Sequence, residues 1–177
     1  MASFDDFKFN RQLLNAIADA GYTEPTPIQQ KAIPPILNGQ DVMGIAQTGT
    51  GKTAAYVLPL VMKLKYAQGE SPRALIVSPT RELAMQIEQN IQKYAVYTDL
   101  RAVVLYGGIG PKTQIEQVKK GVDIIVATPG RFMDIYLAGH IHTKGLQILV
   151  LDEADKMMDM GFMPQINRIL EVVPVKR

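Results

Sequence analysis

Short runs of aliphatic and β-branched residues punctuate the chain at Asp41–Ala46, Ala74–Ser78, Arg101–Tyr106, Asp123–Ala127 and Gln147–Leu151. Two of them, Ala74-Leu75-Ile76-Val77 and Ile148-Leu149-Val150-Leu151, are apolar at every position. Strands buried on both faces read this way, which points to a mostly parallel sheet covered by helices. Between the runs, apolar residues return at helical spacing. Helices are predicted over Arg11–Ala20, with Leu13, Leu14 and Ile17 on one side, and over Lys52–Tyr66, Arg81–Tyr97, Pro111–Lys119, Arg131–Ala138 and Pro164–Val172. Another, from Pro27 or Ile28 to Leu37, is expected to be interrupted or kinked near Pro34-Pro35, where two backbone donors are lost. The strand-to-helix connections are short, the arithmetic of an open α/β sheet. Ligands of such sheets bind beyond the carboxyl ends of the strands.

Composition narrows the picture only a little. With 177 residues, 47% of them hydrophobic, the chain can close one ordinary core. No run approaches the roughly 18 apolar residues of a membrane span, and the start, Met1 to Asp6, lacks the basic-then-apolar pattern of a secretory signal. No membrane partner is expected. Cysteine is absent, which excludes disulfides and thiolate chemistry and fits a reducing compartment; a cytoplasmic location is the expectation. A net charge of +2 neither demands nor forbids a nucleic-acid partner.

The sharpest chemistry lies at Ala46-Gln47-Thr48-Gly49-Thr50-Gly51-Lys52-Thr53, after an apolar run and at the start of a predicted helix. Glycines there let the backbone turn tightly around a phosphate, with N–H groups and the helix start supplying positive potential. Lys52 can reach the β- and γ-phosphates and the Thr53 hydroxyl can ligate magnesium. The general phosphate-loop pattern asks for glycine where Ala46 stands, and Gly44 is out of register. A second site follows the last apolar run: Asp152-Glu153-Ala154-Asp155. A carboxylate at the end of a buried strand needs a cation or strong donors. Asp152 suits magnesium, directly or through water, and Glu153 suits an attacking water. An acidic cluster at a helix start is the alternative reading of the same residues.

These residues spell D-E-A-D, and the chain resembles the DEAD-box RNA helicases over essentially its whole length. Gly21-Tyr22-Thr23-Glu24-Pro25-Thr26-Pro27-Ile28-Gln29 looks like the family's adenine-reading Q motif, and Phe4 matches its isolated upstream aromatic. Residues Ala46 to Thr53 match motif I, where alanine is the family's form. Pro79-Thr80-Arg81-Glu82-Leu83-Ala84 matches motif Ia, Gly107-Gly108 the paired glycines, Thr128-Pro129-Gly130-Arg131 motif Ib, and Asp152 to Asp155 motif II. The resemblance implies a three-layer, RecA-like α/β/α domain that binds ATP and magnesium. It implies nucleotide contacts from Phe4, Tyr22, Thr26, Gln29 and the residues Ala46, Gln47, Thr48, Gly49, Thr50, Gly51, Lys52 and Thr53. Lys52, Asp152 and Glu153 would carry hydrolysis, with Thr53 and Asp152 on the metal and Asp155 in coupling between domains. Residues 1–38 would form the Q-motif region with N-terminal helices, and 39–177 the ATPase core.

The residue chemistry runs alongside. The Gln29 carboxamide carries a donor and an acceptor, matching the N6 and N7 edge of adenine but not of guanine. Phe4 suits stacking on the base, or anchoring a terminus. Pro79, Thr80, Arg81, Gly107, Gly108, Thr128, Pro129, Gly130 and Arg131 follow strands and suit an RNA sugar-phosphate track without base reading. Equally, Thr80 and Thr128 suit helix N-caps, and the arginines suit carboxylate partners. Nothing in the residues separates RNA from DNA; the choice of RNA is implied by the resemblance.

The family's next motif, Ser-Ala-Thr, is not reached: the chain stops at Val173-Pro174-Val175-Lys176-Arg177. The resemblance puts that motif on an internal strand, between the run feeding the phosphate loop and the one ending at Asp152, and adds a second RecA-like domain with an arginine finger. The chain is therefore expected to be the first domain of a longer ATP-dependent RNA helicase, truncated before that strand. It should turn over little ATP alone, and its open strand edge favours self-association. A nucleotide-gated RNA clamp without efficient turnover is the alternative reading, and a DNA translocase the rival from another class.

Overall fold

A computed structural model describes residues 2–46, 51–69 and 71–174. The chain divides into two compact units, Met1–Tyr66 with Gln89–Asp99, and Ala67–Glu88 with Leu100–Arg177.

The first unit is helical. A 3-10 turn, Phe4–Phe7, precedes α1 (Arg11–Asp19), α2 (Pro27–Leu37) and α3 (Lys52–Leu64), and the last part of α4 (Arg81–Tyr94) completes it. Asn10 caps α1 by accepting from the Leu13 N–H at 2.9 Å. α1 then buries Leu13, Ala16 and Ile17, the side its spacing predicts. α2 lies along α3. α3 is buried on most of its circumference, through Ala54, Ala55, Val57, Leu58, Leu60, Val61 and Leu64.

One expectation holds in this unit and another fails. α2 reaches Leu37 as expected, and passes Pro34-Pro35 without an interruption. Those prolines leave the carbonyls of Gln30 and Lys31 without helical donors, and both of those residues are exposed, where water can replace the bond. Residues 41–46 do not form the predicted strand, and Met43 and Ile45 are each 90% exposed. A run of apolar residues becomes a strand only when a neighbour supplies the ladder, and among the described residues none pairs with this one.

The second unit carries a four-stranded parallel sheet, β1 (Ala74–Val77), β2 (Ala102–Leu105), β3 (Ile124–Ala127) and β4 (Ile148–Leu151), in the order β2-β3-β1-β4. It is flanked by α5 (Lys112–Lys119), α6 (Pro129–Leu137), α7 (Ala154–Asp159) and α8 (Met163–Val172). The central strands β1 and β3 are wholly buried, as their unbroken apolar runs require. β4, at the sheet edge, is only half-buried along its length. Leu75, Val77, Leu105, Ile125 and Phe132 anchor the core.

At the amino ends of the strands one carboxylate gathers the chain. The fully buried Asp123 side chain accepts from the Gln68 N–H at 3.1 Å, the Arg101 N–H at 2.8 Å, Arg73 Nη2 at 3.2 Å and Arg101 Nε at 3.3 Å. Burial alone pushes this acid up, but these donors outweigh it and hold it below the ordinary carboxylate range.

Candidate functional site

The expected phosphate-loop motif ends at the start of α3, within the first unit. Residues 47–50, where Gln47, Thr48, Gly49 and Thr50 were expected to wrap the phosphates, lie outside the described residues. Gly51 occupies the N-cap of α3 at φ +83°. A Cβ there would stand 2.4 Å from Gln29 Nε2 and 2.9 Å from Thr26 Oγ1, so both its conformation and its surroundings demand glycine. Lys52 and Thr53 follow, half-buried, in the first turn, where the positive end of the helix dipole favours an anion.

Gln29 and Thr26 close a capping box at the start of α2. The Thr26 N–H donates to Gln29 Oε1 at 2.9 Å, and the Gln29 N–H donates to Thr26 Oγ1 at 3.4 Å. Gln29 Nε2 donates to the Gly51 carbonyl at 3.1 Å, and the residue is buried. The same carbonyl accepts from the Ala55 N–H at 3.1 Å, the first helical bond of α3. Gln29 therefore retains one N–H and one lone pair for a base edge. Tyr22 is half-exposed, 6.3 Å from the Tyr94 ring, with Lys93 Nζ 5.8 Å above it. Phe4 is buried beside Phe7, so stacking on a base requires that aromatic cluster to open. Ala46 is half-buried.

The second unit assembles the remaining motifs. Parallel pairing puts Leu105, Ala127, Val77 and Leu151 in one row across the sheet. Each strand therefore ends level with its neighbours. The turns that follow, Gly107-Gly108 after β2, Thr128 to Arg131 after β3, Pro79 to Arg81 after β1 and Asp152-Glu153 after β4, emerge side by side.

Asp152 is buried, and its N–H donates to the Val77 carbonyl at 2.9 Å, extending the β4–β1 ladder by one residue. Glu153 takes the left-handed conformation, φ 54° and ψ 48°, at the N-cap of α7. A non-glycine residue held there carries strain, and such strain gathers at functional sites. Its carboxylate lies 3.6 Å from Lys156 Nζ. Asp155 is exposed in the first turn of α7. The Asp152 carboxylate is an oxygen donor of the kind magnesium, a hard cation, takes.

Among the residues expected to track nucleic acid, Thr80 caps α4, its Oγ1 accepting from the Leu83 N–H at 3.2 Å, while Thr128 stands at the α6 N-cap without a side-chain capping bond. Pro79 and Pro129 are buried and Gly130 is exposed. A Cβ on Gly107 or Gly108 would meet nothing within 4 Å, so the backbone there is open to close approach. Gly108 sits at φ +88°. Arg81 is exposed and lies 4.6 Å over the Tyr106 ring. Arg131 is different, since its side chain is 11% exposed and turned onto protein acceptors. Nη2 donates to the Ile109 carbonyl at 2.7 Å, Nη1 to Gln114 Oε1 at 3.3 Å, and Nε lies 4.0 Å from Asp134. Gln114, in α5, had no motif to mark it. Its signal is its position, one helical turn into the element that follows the paired glycines.

The DEAD/DEAH box helicase family matches residues 26–177. The chain is 44% identical over 177 residues to DEAD-box ATP-dependent RNA helicase 30 of Arabidopsis thaliana, covering 98% of this chain and 30% of that protein. It is 50% identical over 175 residues to the human probable ATP-dependent RNA helicase DDX43, covering 95% and 27%. It is 45% identical over 172 residues to the DEAD-box ATP-dependent RNA helicase RhpA of Helicobacter pylori, covering 97% and 35%. The chain thus spans about a third of the length of these relatives.

Proposed function

The chain belongs to the DEAD/DEAH box helicase family, and from that premise we propose that it is the ATP-binding first motor domain of an RNA-stimulated ATPase that opens RNA duplexes locally. Among the described residues, no helix is long and apolar enough to cross a membrane. A cytoplasmic location remains part of the reading, supported by the lack of cysteine.

Lys52 meets the β- and γ-phosphates at the start of α3, and the spare donor and acceptor of Gln29 read the adenine edge. Tyr22, Thr26 and Phe4 complete the base side. Thr53 in the first unit and Asp152 in the second would each suit magnesium, which would supply charge neutralisation at the transferring phosphate. Glu153 orients the attacking water, and Asp155 faces the second RecA-like domain when it closes. Pro79, Thr80, Arg81, Gly107, Gly108, Thr128, Pro129, Gly130 and Arg131 line the RNA backbone track. Without the second domain the site stays open to water, so the isolated chain binds nucleotide with little turnover.

The observation that carries this reading is the level row of strand ends. β4, ending at the acid pair, is hydrogen-bonded to β1, ending at Pro79-Thr80-Arg81. Water-positioning acid and RNA-facing cation therefore follow adjacent strands about 4.8 Å apart, so RNA that orders one turn bears on the other. The test is the Arg81→Ala variant of the full-length protein. RNA-stimulated ATP turnover should fall while RNA-independent turnover and nucleotide affinity hold. Equal losses of both activities would break the proposed coupling.

A further inference from the structure

The paired-glycine turn is held from inside by two side chains. Gln114 is 4% exposed, and its carboxamide brackets one backbone unit from both sides. The Tyr106 N–H donates to Oε1 at 3.3 Å, and Nε2 donates to the Tyr106 carbonyl at 3.1 Å. Oε1 also accepts from Arg131 Nη1 at 3.3 Å, and Arg131 Nη2 reaches three residues further, to the Ile109 carbonyl at 2.7 Å. The segment between these anchors, Gly107-Gly108, has no side chain of its own to order it, and Gly108 is held at positive φ. Glycine loses more freedom on ordering than any other residue. Left to itself, this turn would sample many backbone shapes.

We infer that Gln114 and Arg131 form one clamp that pre-shapes the Gly107-Gly108 backbone for a sugar-phosphate chain, so that Arg131 is a positioning residue rather than a phosphate contact. The inference rests on the RNA-track reading above. Arg131 has a fork and uses its nitrogens on Gln114, Ile109 and Asp134, whereas Arg81 stands exposed over Tyr106. Arg81 is the cation that meets phosphate. Gln114 is too deeply buried to touch RNA and acts only through the turn. A pre-shaped turn binds without first losing that freedom, which is the general source of affinity from preorganisation.

The roles separate in the full-length protein through single-stranded RNA affinity, measured at several salt concentrations with a non-hydrolysable ATP analogue present. Arg131→Lys keeps the charge and loses the fork. Gln114→Leu strips both Tyr106 partners. Each should weaken RNA about ten-fold, the effect of one lost buried hydrogen-bonding unit. The double variant should be no weaker than the worse single, because one clamp is lost either way. The salt slope should stay at the native value in all three, but fall by about one in Arg81→Ala. Nucleotide affinity should not change. Amide exchange at residues 106–110 should quicken with or without RNA, and that readout survives even if the protein proves not to bind RNA. If Gln114→Leu does not fold, Gln114→Glu keeps the acceptor for Tyr106 N–H and Arg131, loses the donor to the Tyr106 carbonyl and turns a second oxygen against it. Native affinity in Arg131→Lys, additive losses in the double variant, or unchanged exchange at 106–110 would each overturn the clamp.

Discussion

Gln29 is tied to the phosphate loop: its Nε2 donates to the carbonyl of Gly51 at 3.1 Å, the residue immediately before Lys52. The proposed base reader and the proposed phosphate loop are therefore joined through one carboxamide. A residue that only read the base would, when truncated, lower adenine affinity to the guanine level and stop there. Gln29→Ala should instead weaken both ADP and GDP, with ADP losing more, by roughly 1–3 kcal/mol for the base edge. Calorimetry on the 177-residue chain checks this. An unchanged GDP affinity would mean that the Gly51 bond does no work for the phosphates.

Asp123 should set the acid limit of the second unit. Its folded value lies below the unfolded one, so its contribution is complete above about pH 4 and is lost as pH falls through the lowered folded value. Asp123→Asn removes the carboxylate charge beside the buried Arg73 guanidinium and should cost about 3 kcal/mol at neutral pH. Denaturant unfolding at descending pH checks both. The native chain should lose stability more steeply than Asp123→Asn as pH falls below about 4, and parallel curves would contradict the assignment.

Glu153 sets stability against activity. Glycine at this left-handed position relieves about 1 kcal/mol of strain and forfeits only a weak exposed pairing with Lys156. Glu153→Gly should thus match or exceed the native melting temperature while losing ATP turnover in the full-length protein. Glu153→Gln should keep nucleotide binding and lose turnover as well. A Glu153→Gly protein several degrees less stable would mean that the left-handed turn is not strained.

Much of this was legible in the sequence, for physical reasons that differ by residue. β1 and β3 announce themselves because strands buried on both faces tolerate no polar position. The Thr26 and Gln29 capping box is equally local, three residues apart and ahead of an apolar run. Residues 41–46 misled because Val42, Met43 and Ile45 look like β1, yet a strand is a property of two segments rather than one. Gln114 was invisible: a glutamine among Lys112, Thr113 and Glu116 looks solvated until the fold turns it onto Tyr106. Arg131 left two readings open, phosphate or a carboxylate partner, until the fold turned it onto Gln114, Ile109 and Asp134, and the left-handed backbone of Glu153 leaves no trace in composition.

The unpaired segment and the edge strand make their own prediction. In the 177-residue chain, amides of residues 41–46 and those of β4 that face away from β1 should exchange within the earliest time points, while β1 and β3 amides stay protected. The open β4 edge should also yield association that grows with concentration in light scattering. Slow exchange at 41–46 in a monomer would show that a partner strand forms there.

The proposal that ATP hydrolysis answers to RNA is tested most directly by steady-state ATP turnover of the full-length protein, with no nucleic acid, with single-stranded RNAs of unrelated sequence, and with DNA of matching sequence. Turnover should be low alone, rise alike with each RNA, rise far less with DNA, and vanish in Lys52→Ala. Turnover indifferent to RNA, or stimulated equally by DNA, would contradict it.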